Sequence, residues 1–338
     1  WFSVGSAAMA AIQVWALRQS GVGFRPRLEV TAPGFGAFWA AFVPVAATQA
    51  VLQLGNSVEK YVAGRLGAGS VSSLSYAFKI TQIPVWVFVA AIGTVAFPAL
   101  ARAVERGDRR ELTEVLDSAV RLALFVTLPA SGALVVLARP IIATLFMRGA
   151  FTIASVESTS AVLMSYAPAA VLQGFLYLLM RTCFALRNAL GVLLGAALGC
   201  SSMVLLDLYL APRIGIGSLG IGATAGLGLA ALAMFLSVRT EVDRVWPRRI
   251  LLSGISSALR CLPMLAVLWL AQRCFLAGVE TMSQPARILN LGFTVCVGLV
   301  TYLATCVVSG CEEARWLRGI LSRAAGCRLS PVRGVPRD

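Results

Sequence analysis

Apolar runs of about 18 residues or more recur along almost the whole chain, and no other feature restricts its fold as strongly. The hydrocarbon core of a bilayer is about 30 Å thick, so a helix needs about 20 mainly apolar residues to cross it. The pattern predicts an all-α protein that crosses a membrane about nine times. The apolar segments lie at residues 1–17, 37–63, 72–100, 116–138, 157–184, 189–210, 217–238, 252–274 and 288–308.

Basic residues are distributed unevenly among the gaps between these segments. Of 29 Lys and Arg residues, most lie in alternate gaps and in the C-terminal tail. The positive-inside rule predicts that these gaps and the C-terminus face the cytoplasm. The net charge of +14 then reflects topology and attraction to anionic lipid head groups rather than nucleic-acid binding. The basic set comprises Arg18, Arg25, Arg27, Arg102, Arg106, Arg109, Arg110, Arg121, Arg181, Arg187, Arg239, Arg244, Arg248, Arg249, Arg315, Arg318, Arg323, Arg328, Arg333 and Arg337.

Several chemistries are excluded or disfavoured by the residue types present. The chain has no His, which excludes imidazole catalysis and His-ligated metal sites. Its 8 Cys residues are scattered singly without a CxxC pair, which argues against a zinc site or a disulfide framework. Walker A and GxSxG motifs are also missing from the sequence. We therefore expect neither an enzyme nor a resident cofactor or metal.

One lysine lies well inside an apolar segment. Lys79 stands in "YAFKITQIP", and burial of its ammonium in hydrocarbon would cost roughly 3 kcal/mol. Tyr76 and Gln82 lie one helical turn before and after it, so we expect all three side chains near one face. A cation beside two neutral hydrogen-bonding groups can hold an anionic group such as a phosphate. The alternative is a lysine that snorkels to the interface.

Other charged residues in or near the apolar segments are further candidates. Glu59 and Lys60 adjoin each other in "LGNSVEKYVAGRL", and Glu59 could reach Lys79 if their helices pack antiparallel. Snorkelling at the interface is the alternative for both residues. Asp207 in "VLLDLYL" is expected to be solvated at the interface, with ion binding or a capping role as the alternative. Arg148 in "FMRGAFT" is expected in a loop before a helix start.

Small residues and prolines add expectations about packing. Glycines recur at four-residue spacing at 191, 195 and 199 and again at 222 and 226, which predicts close approach of helix backbones. Prolines are expected to interrupt or kink the spans. They lie at Pro44, Pro84, Pro98, Pro129 and Pro168.

Three sequence blocks carry a resemblance to a known family. The block "GSVSSLSYAFKITQIPVWVFVAAIGTVAFPALARAVERGD" resembles the signature region of the MurJ/MviN family of lipid II flippases. The block "LPASGALVVLARPIIATLFMRGAFT" is similar to another motif of that family. The block "SAAMAAIQVWALRQSGVGFRPRL" resembles the end of its sixth helix and the loop that follows. The resemblance runs from residue 4 to about residue 240, whereas the last two segments match only in position and hydropathy.

The resemblance implies an architecture. Members of this superfamily of multidrug, oligosaccharidyl-lipid and polysaccharide exporters have two six-helix lobes around a central cavity, as in MATE-like transporters, and this family adds two helices that form a groove for the lipid tail. On that map the chain runs from helix six to helix fourteen, so we expect five helices to precede it. The charge topology, taken separately, also requires an odd number of preceding helices. The implied divisions are residues 1–20 (last helix of the N-terminal lobe), 21–36 (cytoplasmic loop), 37–240 (C-terminal six-helix lobe), 250–309 (two additional helices) and 310–338 (basic cytoplasmic tail).

The resemblance also implies a function. Family members move lipid II, the undecaprenyl-diphosphate-linked peptidoglycan precursor, across the bacterial inner membrane by alternating access, drawing on membrane potential or a coupling monovalent cation. The implied partners are lipid II, membrane lipids and the cell-wall synthesis machinery. The family's cavity is cationic, and a basic residue at the position of Lys79 helps to bind the diphosphate. Here Lys79 replaces the usual Arg. Phe78 stands where the family frequently has Asp or Asn, and Gln82 where it occasionally has an acid. Glu59 and Lys60 fall where Asp or Asn is often followed by Lys or Thr.

Two alternatives remain open at this point. One is a related exporter of the same superfamily, either a polysaccharide-lipid flippase or a cation-coupled drug exporter. The other is a membrane fragment that transports nothing. The intramembrane charges of Glu59 and Lys79 argue against the fragment, because packing alone does not need them.

Overall fold

The computed structural model describes residues 2–19, 35–242 and 246–310, and every regular element in these ranges is a helix. The predicted all-α fold is therefore confirmed. Most of the predicted loop at 21–36 and nearly all of the predicted tail at 310–338 lie outside the described residues. The helices are α1 (Phe2–Gln19), α2 (Phe35–Arg65), α3 (Ser70–Pro84), α4 (Ala90–Arg106), α5 (Arg109–Val136), α6 (Ala138–Phe146), α7 (Ile153–Ala185), α8 (Ala189–Ile214), α9 (Ser218–Val238), α10 (Trp246–Phe275) and α11 (Gln284–Val308).

The chain divides into two units at residues 43 and 44. The first unit contains α1 and the start of α2, and nearly all the described side chains of α1 are exposed. The second unit contains the rest of α2 and all the later helices. Every candidate site residue lies in this second unit.

Within the ranges that the structure describes, seven helical stretches are long and apolar enough to cross a membrane. One of them, Ala189–Val238, has 50 residues, which is about twice the length that a bilayer requires. It contains two helices, α8 and α9, separated by a 3₁₀ turn in which Gly215 has a φ of 76°. All nine predicted segments coincide with helices, although α1 is not among the seven stretches. The protein is a multi-pass membrane protein.

The structure departs from prediction around α5. This helix begins at Arg109, ahead of the predicted segment, because Asp108 caps it by accepting hydrogen bonds from the backbone N–H groups of Arg110 and Glu111. Its first turns are charged, so a criterion based on hydropathy misses them. After α5 comes α6, whose nine residues are too few to cross a bilayer. Only a loop was expected there.

Glycines bring α8 and α9 into backbone contact. A Cβ atom on Gly199 would lie 2.6 Å from the carbonyl oxygen of Gly226, and the reverse distance is also 2.6 Å. Gly195 faces Met234, where a Cβ would lie 2.7 Å from its Cγ. The predicted packing role of these small residues is confirmed.

Of the five prolines, Pro84 alone adjoins an irregular turn in the described helices. The chain passes from α3 into a π-helical turn at Val85–Val89 and then into α4, forming one continuous span of 37 residues. The other four prolines lie inside uninterrupted α-helices, so the prediction that they interrupt the spans is wrong. A π-helical turn alters the helical register and changes which way the following side chains face.

Helix α7 packs parallel to this continuous span. Ser73 bonds with Ser158 and Thr159, at sequence separations of 85 and 86, and Gln82 bonds with Gln173 at a separation of 91. Because the separation stays nearly constant along the pair, the two spans run in the same direction. We call this contact the α3/α4–α7 seam.

The two ends of the bundle differ in charge. One end contains the α4–α5 turn, the α7–α8 turn and the α9–α10 loop, and an ion pair of 3.5 Å between Arg109 and Glu241 joins the first of these to the last. We call this the basic end, and the end that contains α6 and the α10–α11 loop the opposite end. The arginines of the basic end include Arg106, Arg109, Arg110, Arg187, Arg239, Arg248 and Arg249.

A buried arginine joins α11 to α6 at the opposite end. The guanidinium of Arg287 donates to the carbonyl oxygens of Glu280 and Met282 at 2.7 and 2.9 Å, in the loop before α11. It also donates to those of Ala143 and Met147, both at 3.5 Å, at the end of α6. We call this region the α6–α11 corner.

Further polar contacts strengthen the same corner. Arg139 pairs with Glu280 at 2.7 Å and with Glu157 at 3.5 Å. Gln284 donates to the carbonyl oxygen of Thr144 at 2.9 Å. The short helix α6 is thus fixed between the start of α7 and the loop before α11.

Candidate functional site

Lys79 lies on the exposed face of α3. Ile83 and Trp86 continue this face and are 56% and 63% exposed. Nine residues, or roughly 14 Å of helix, separate Lys79 from the start of α3 at Ser70. Within the described residues its ammonium forms no hydrogen bond or ion pair. The fold therefore presents Lys79 as a positive charge that no group in the described part of the chain neutralises.

Tyr76 faces a different neighbour from Lys79. Its ring lies 4.6 Å from that of Phe146 and 5.9 Å from that of Phe151, centroid to centroid. Both phenylalanines flank the loop between α6 and α7. The half-buried Tyr76 thus packs α3 against this loop and does not stand beside Lys79.

Gln82 faces a third direction. It is buried, and its Nε2 donates to Oε1 of Gln173 on α7 at 2.9 Å. The prediction of one shared face for Tyr76, Lys79 and Gln82 is therefore wrong. Each three-residue step falls about 60° short of a full helical turn, so two steps spread these side chains over about a third of the helix surface.

Glu59 does not pair with Lys79. It is buried on α2, one of its carboxylate oxygens has no hydrogen-bond partner, and it lies close enough to Asp207 on α8 for the two carboxylates to repel each other. Both oxygens of Asp207 also lack a partner. The expectation that Glu59 reaches Lys79 is corrected, because the residue faces the α8–α9 hairpin. The adjacent Lys60 is exposed.

Asp207 is more deeply buried than an interfacial residue would be. Its exposed fraction is 0%, and it lies against Gly222 of α9, whose missing side chain leaves room for the carboxylate. The alternative of interfacial solvation is therefore wrong for this residue. Burial of two carboxylates near each other is unfavourable unless a cation or a proton neutralises them.

Arg148 occupies the loop predicted for it. It is exposed, and its backbone N–H donates to the carbonyl oxygen of Phe146 at 2.7 Å. The next helix begins after Thr152, whose hydroxyl caps it by accepting from the N–H of Ser155. The prediction of a loop before a helix start is confirmed.

Two residues of this region were not singled out from the sequence as site candidates. Gln173 carries the carbonyl that binds Gln82, and nothing in the sequence pairs residues so far apart. Arg181 was counted only among the topology-setting arginines, yet its Nη2 donates to the hydroxyl of Tyr177 at 2.6 Å. The four-residue spacing of Tyr177 and Arg181 on one predicted helix was a signal that could have revealed this contact.

The site thus consists of two chemically different parts. The exposed face that contains Lys79 is cationic, which suits an anionic group. The buried carboxyl groups of Glu59 and Asp207 offer only oxygen atoms, which suit a hard cation or a proton. A multi-pass helical bundle that combines an exposed cation with buried carboxyl groups is typical of the transporter class.

Comparison with known families makes this assignment specific. The family model described as "Lipid II flippase MurJ" matches residues 2–289, and the chain belongs to this family. The match extends past residue 240 through α10, so the resemblance of segment 252–274 is more than one of position and hydropathy. The family is a family of transporters.

Individual relatives agree with the family model. A probable lipid II flippase MurJ from Bdellovibrio bacteriovorus is 26% identical over 318 residues, covering 93% of this chain and 60% of the relative. One from Rhizobium meliloti is 37% identical over 163 residues, covering 47% of this chain and 29% of the relative. The chain therefore spans about 60% or less of the length of these relatives.

A solved structure supports the fold. The structure titled "Lipid II flippase MurJ, inward closed conformation" has a TM-score of 0.67 at 21% identity, covering 91% of this chain and 59% of the other. At this identity the likeness concerns the fold alone. It agrees with the helix order described above.

Proposed function

We propose that this protein acts as a lipid II flippase and moves the undecaprenyl-diphosphate-linked peptidoglycan precursor from the inner to the outer leaflet of a bacterial inner membrane. The observation that carries the proposal is Lys79, an exposed cation in a membrane-spanning helix of a MurJ family member, with no ion-pair or hydrogen-bond partner among residues 2–19, 35–242 and 246–310. A permanent charge in a span is unfavourable unless it has a function. The diphosphate of a lipid-linked precursor is an anion that would neutralise it.

Lys79 binds the diphosphate through charge. An ammonium is a compact point charge with three rotatable donors, whereas an arginine presents a planar fork that binds two oxygens at once. In a protein environment of low dielectric constant, attraction between unlike charges is several times stronger than in water. A lysine therefore holds the head group firmly while leaving it free to rotate.

The orientation in the membrane follows from the arginines. The basic end of the bundle faces the cytoplasm and the α6–α11 corner faces outward, in keeping with the positive-inside rule. We infer from this orientation that the C-terminus is cytoplasmic. Lys79 then lies about 14 Å below the outer end of α3, close to where the head group leaves.

Transport is coupled to a monovalent cation or a proton at Glu59 and Asp207. The three carboxylate oxygens without partners are buried where α2 meets the α8–α9 hairpin. These residues fit a small cation, since it would supply the missing partners and cancel the repulsion between the two carboxylates. A cation or proton bound there stabilises one arrangement of α2 against α8. Its binding therefore shifts the equilibrium between the conformations of the alternating-access cycle.

The proposed function is tested in cells depleted of their own lipid II flippase, with the gene expressed at its native length. We expect growth and translocation of labelled lipid II to the outer leaflet. A drug exporter of the same superfamily would restore neither. A polysaccharide-lipid flippase would move its own lipid-linked glycan, so failure to move lipid II while moving that glycan would overturn the proposal in favour of that alternative.

The coupling site is tested in vesicles that contain the purified protein. Asp207→Asn removes one charge and keeps the shape of the side chain, so we expect a loss of sodium- or proton-gradient dependence with the lipid still bound. The matched control is Asn56→Asp, which also changes the net charge by one but at an exposed position one turn from Glu59. This variant should keep the gradient dependence of the wild type. Gradient-dependent transport that is the same in Asp207→Asn and wild type would exclude this site.

A further inference from the structure

Arg181 lies at the basic end of the α3/α4–α7 seam, one turn before α7 ends. Its Nη2 donates to the hydroxyl of Tyr177 at 2.6 Å. The guanidinium carbon lies 5.0 Å from the centroid of the Tyr177 ring and 5.7 Å from that of Phe97 on α4. Contacts of this kind favour a planar guanidinium, so α4 and α7 together hold the group in a defined orientation.

The neighbouring residues fix the ring that supports Arg181. A Cβ atom on Gly93 would lie 2.6 Å from Cε1 of Tyr177, so only a glycine leaves space for the ring at this distance. Trp86 meets the same ring edge-on, at 6.5 Å between centroids. Tyr177 is therefore held by the π-helical turn through Trp86 and by α4 at Gly93.

No protein anion neutralises Arg181 among the described residues. It forms no ion pair there, and its Nε is buried without a hydrogen-bond partner. An oriented guanidinium that is partly removed from water normally pairs with a carboxylate. A guanidinium that is positioned but not neutralised has the geometry that binds a phosphate or a diphosphate through paired N–H donors.

Arg181 is too far from Lys79 for both to bind one diphosphate at once. Phe97, which contacts Arg181, follows Lys79 by 18 residues, or roughly 27 Å of helix. The exposed face of α3 connects the two positions, because Lys79 and Trp86 share that face and Trp86 contacts Tyr177. The two cations therefore mark separate positions along one face.

We propose that Arg181 is a second binding site for the diphosphate group, which a polyprenyl diphosphate occupies at the basic end before it reaches Lys79. This inference rests on the proposed function and adds to it the place where the substrate is first bound. Arg181 orients the diphosphate with a fixed pair of donors, and Lys79 then holds it by charge. Because of this difference, binding at Arg181 is selective for the geometry of the diphosphate, whereas binding at Lys79 depends on its charge alone.

The test is titration calorimetry of the purified protein in a non-ionic detergent, with farnesyl diphosphate as the probe. We expect two classes of site in the wild type. Arg181→Gln should weaken one class at least tenfold, and Lys79→Gln should weaken the other. Arg181→Lys should not restore the first class, since an ammonium cannot reproduce the fork.

Matched controls separate binding from folding. Arg187→Gln removes an exposed charge at the same end of the bundle and should bind the probe as the wild type does. Tyr177→Phe keeps the ring but removes the hydroxyl, so the affinity of the Arg181-dependent class of site should fall about threefold. The thermal midpoint of Tyr177→Phe should equal that of the Arg187→Gln control. A parallel titration with inorganic diphosphate shows which form of the anion the site takes. If the site takes a free anion, inorganic diphosphate binds with the same dependence on Arg181. If the site takes a lipid-linked diphosphate, only farnesyl diphosphate binds.

The outcomes are distinguishable. If Lys79→Gln weakens binding and Arg181→Gln does not, the second site is wrong and the proposed function stands. If Arg181→Gln and Arg187→Gln weaken binding equally, Arg181 contributes only general charge and the second site is again wrong. If the wild type binds no farnesyl diphosphate, both proposals fail together.

Discussion

The α6–α11 corner and the α3/α4–α7 seam both contain cationic side chains, but the protein surrounds those charges differently. At the corner, Arg287 donates to four carbonyl oxygens and Arg139 pairs with two glutamates. Beside the seam, on the exposed face of α3, Lys79 has no partner among the described residues, and within the seam Arg181 has a hydroxyl and two rings but no described anion. Cations that the protein satisfies stabilise its fold, whereas cations that it leaves unsatisfied are available to a ligand. Each of the following substitutions tests that distinction.

The largest effect is expected at the corner. Arg287→Ala removes a buried donor from four carbonyl oxygens, which should lower the free energy of unfolding by about 3 kcal/mol. The thermal midpoint in detergent measures this. Arg287→Lys keeps the charge but reaches fewer carbonyls, so its midpoint should fall between those of the wild type and Arg287→Ala. An Arg287→Ala protein as stable as the wild type would contradict a structural role for the corner.

The next largest effect is expected at the seam and concerns transport. Lys79→Ala should reduce lipid II translocation at least about tenfold, equivalent to roughly 1.4 kcal/mol, and leave the thermal midpoint unchanged because no protein contact is lost. Arg65→Ala, which removes an exposed charge at the end of α2, is the control. A fall in stability without a fall in transport would mean that Lys79, like Arg287, stabilises the fold and does not bind a ligand.

A smaller effect is expected for the partly exposed ion pairs. Arg139→Ala breaks the contacts to Glu280 and Glu157, but the arginine side chain is 46% exposed, so screening limits the loss of stability to about 0.5 kcal/mol. The difference from wild type should shrink further in high salt. Midpoints measured at low and high salt check this, and a loss that is independent of salt would mean that the pairs are more shielded from solvent than their exposure indicates.

The smallest effect is expected for Lys79→Arg. The charge is kept and the family's usual residue is introduced, so transport should change by less than about threefold. Parallel measurement of lipid II translocation by Lys79→Arg and Lys79→Ala checks this. A loss as large as that of Lys79→Ala would mean that the site depends on the shape of the lysine and not on its charge alone.

The sequence by itself determined the membrane-spanning architecture. Hydrophobicity and chain length are local properties, so the nine helical segments, the glycine rows of α8 and α9 and the intramembrane position of Lys79 could all be predicted without a structure. The short helix α6 was missed because it is too brief to give a hydropathy signal of its own. The start of α5 was misplaced because its first turns are charged.

Tertiary structure alone decided which charges have partners. Tyr76 and Gln82 share a short stretch with Lys79, but they contact α6 and α7 respectively, and helical spacing does not say which neighbour lies on each side. Arg287 reaches carbonyl oxygens 140 and 144 residues away, and Glu59 on α2 comes close to Asp207 on α8, although five helices separate them along the chain. Electrostatic and hydrogen-bonding contacts act over a few ångströms of space, whereas a sequence records only distance along the chain.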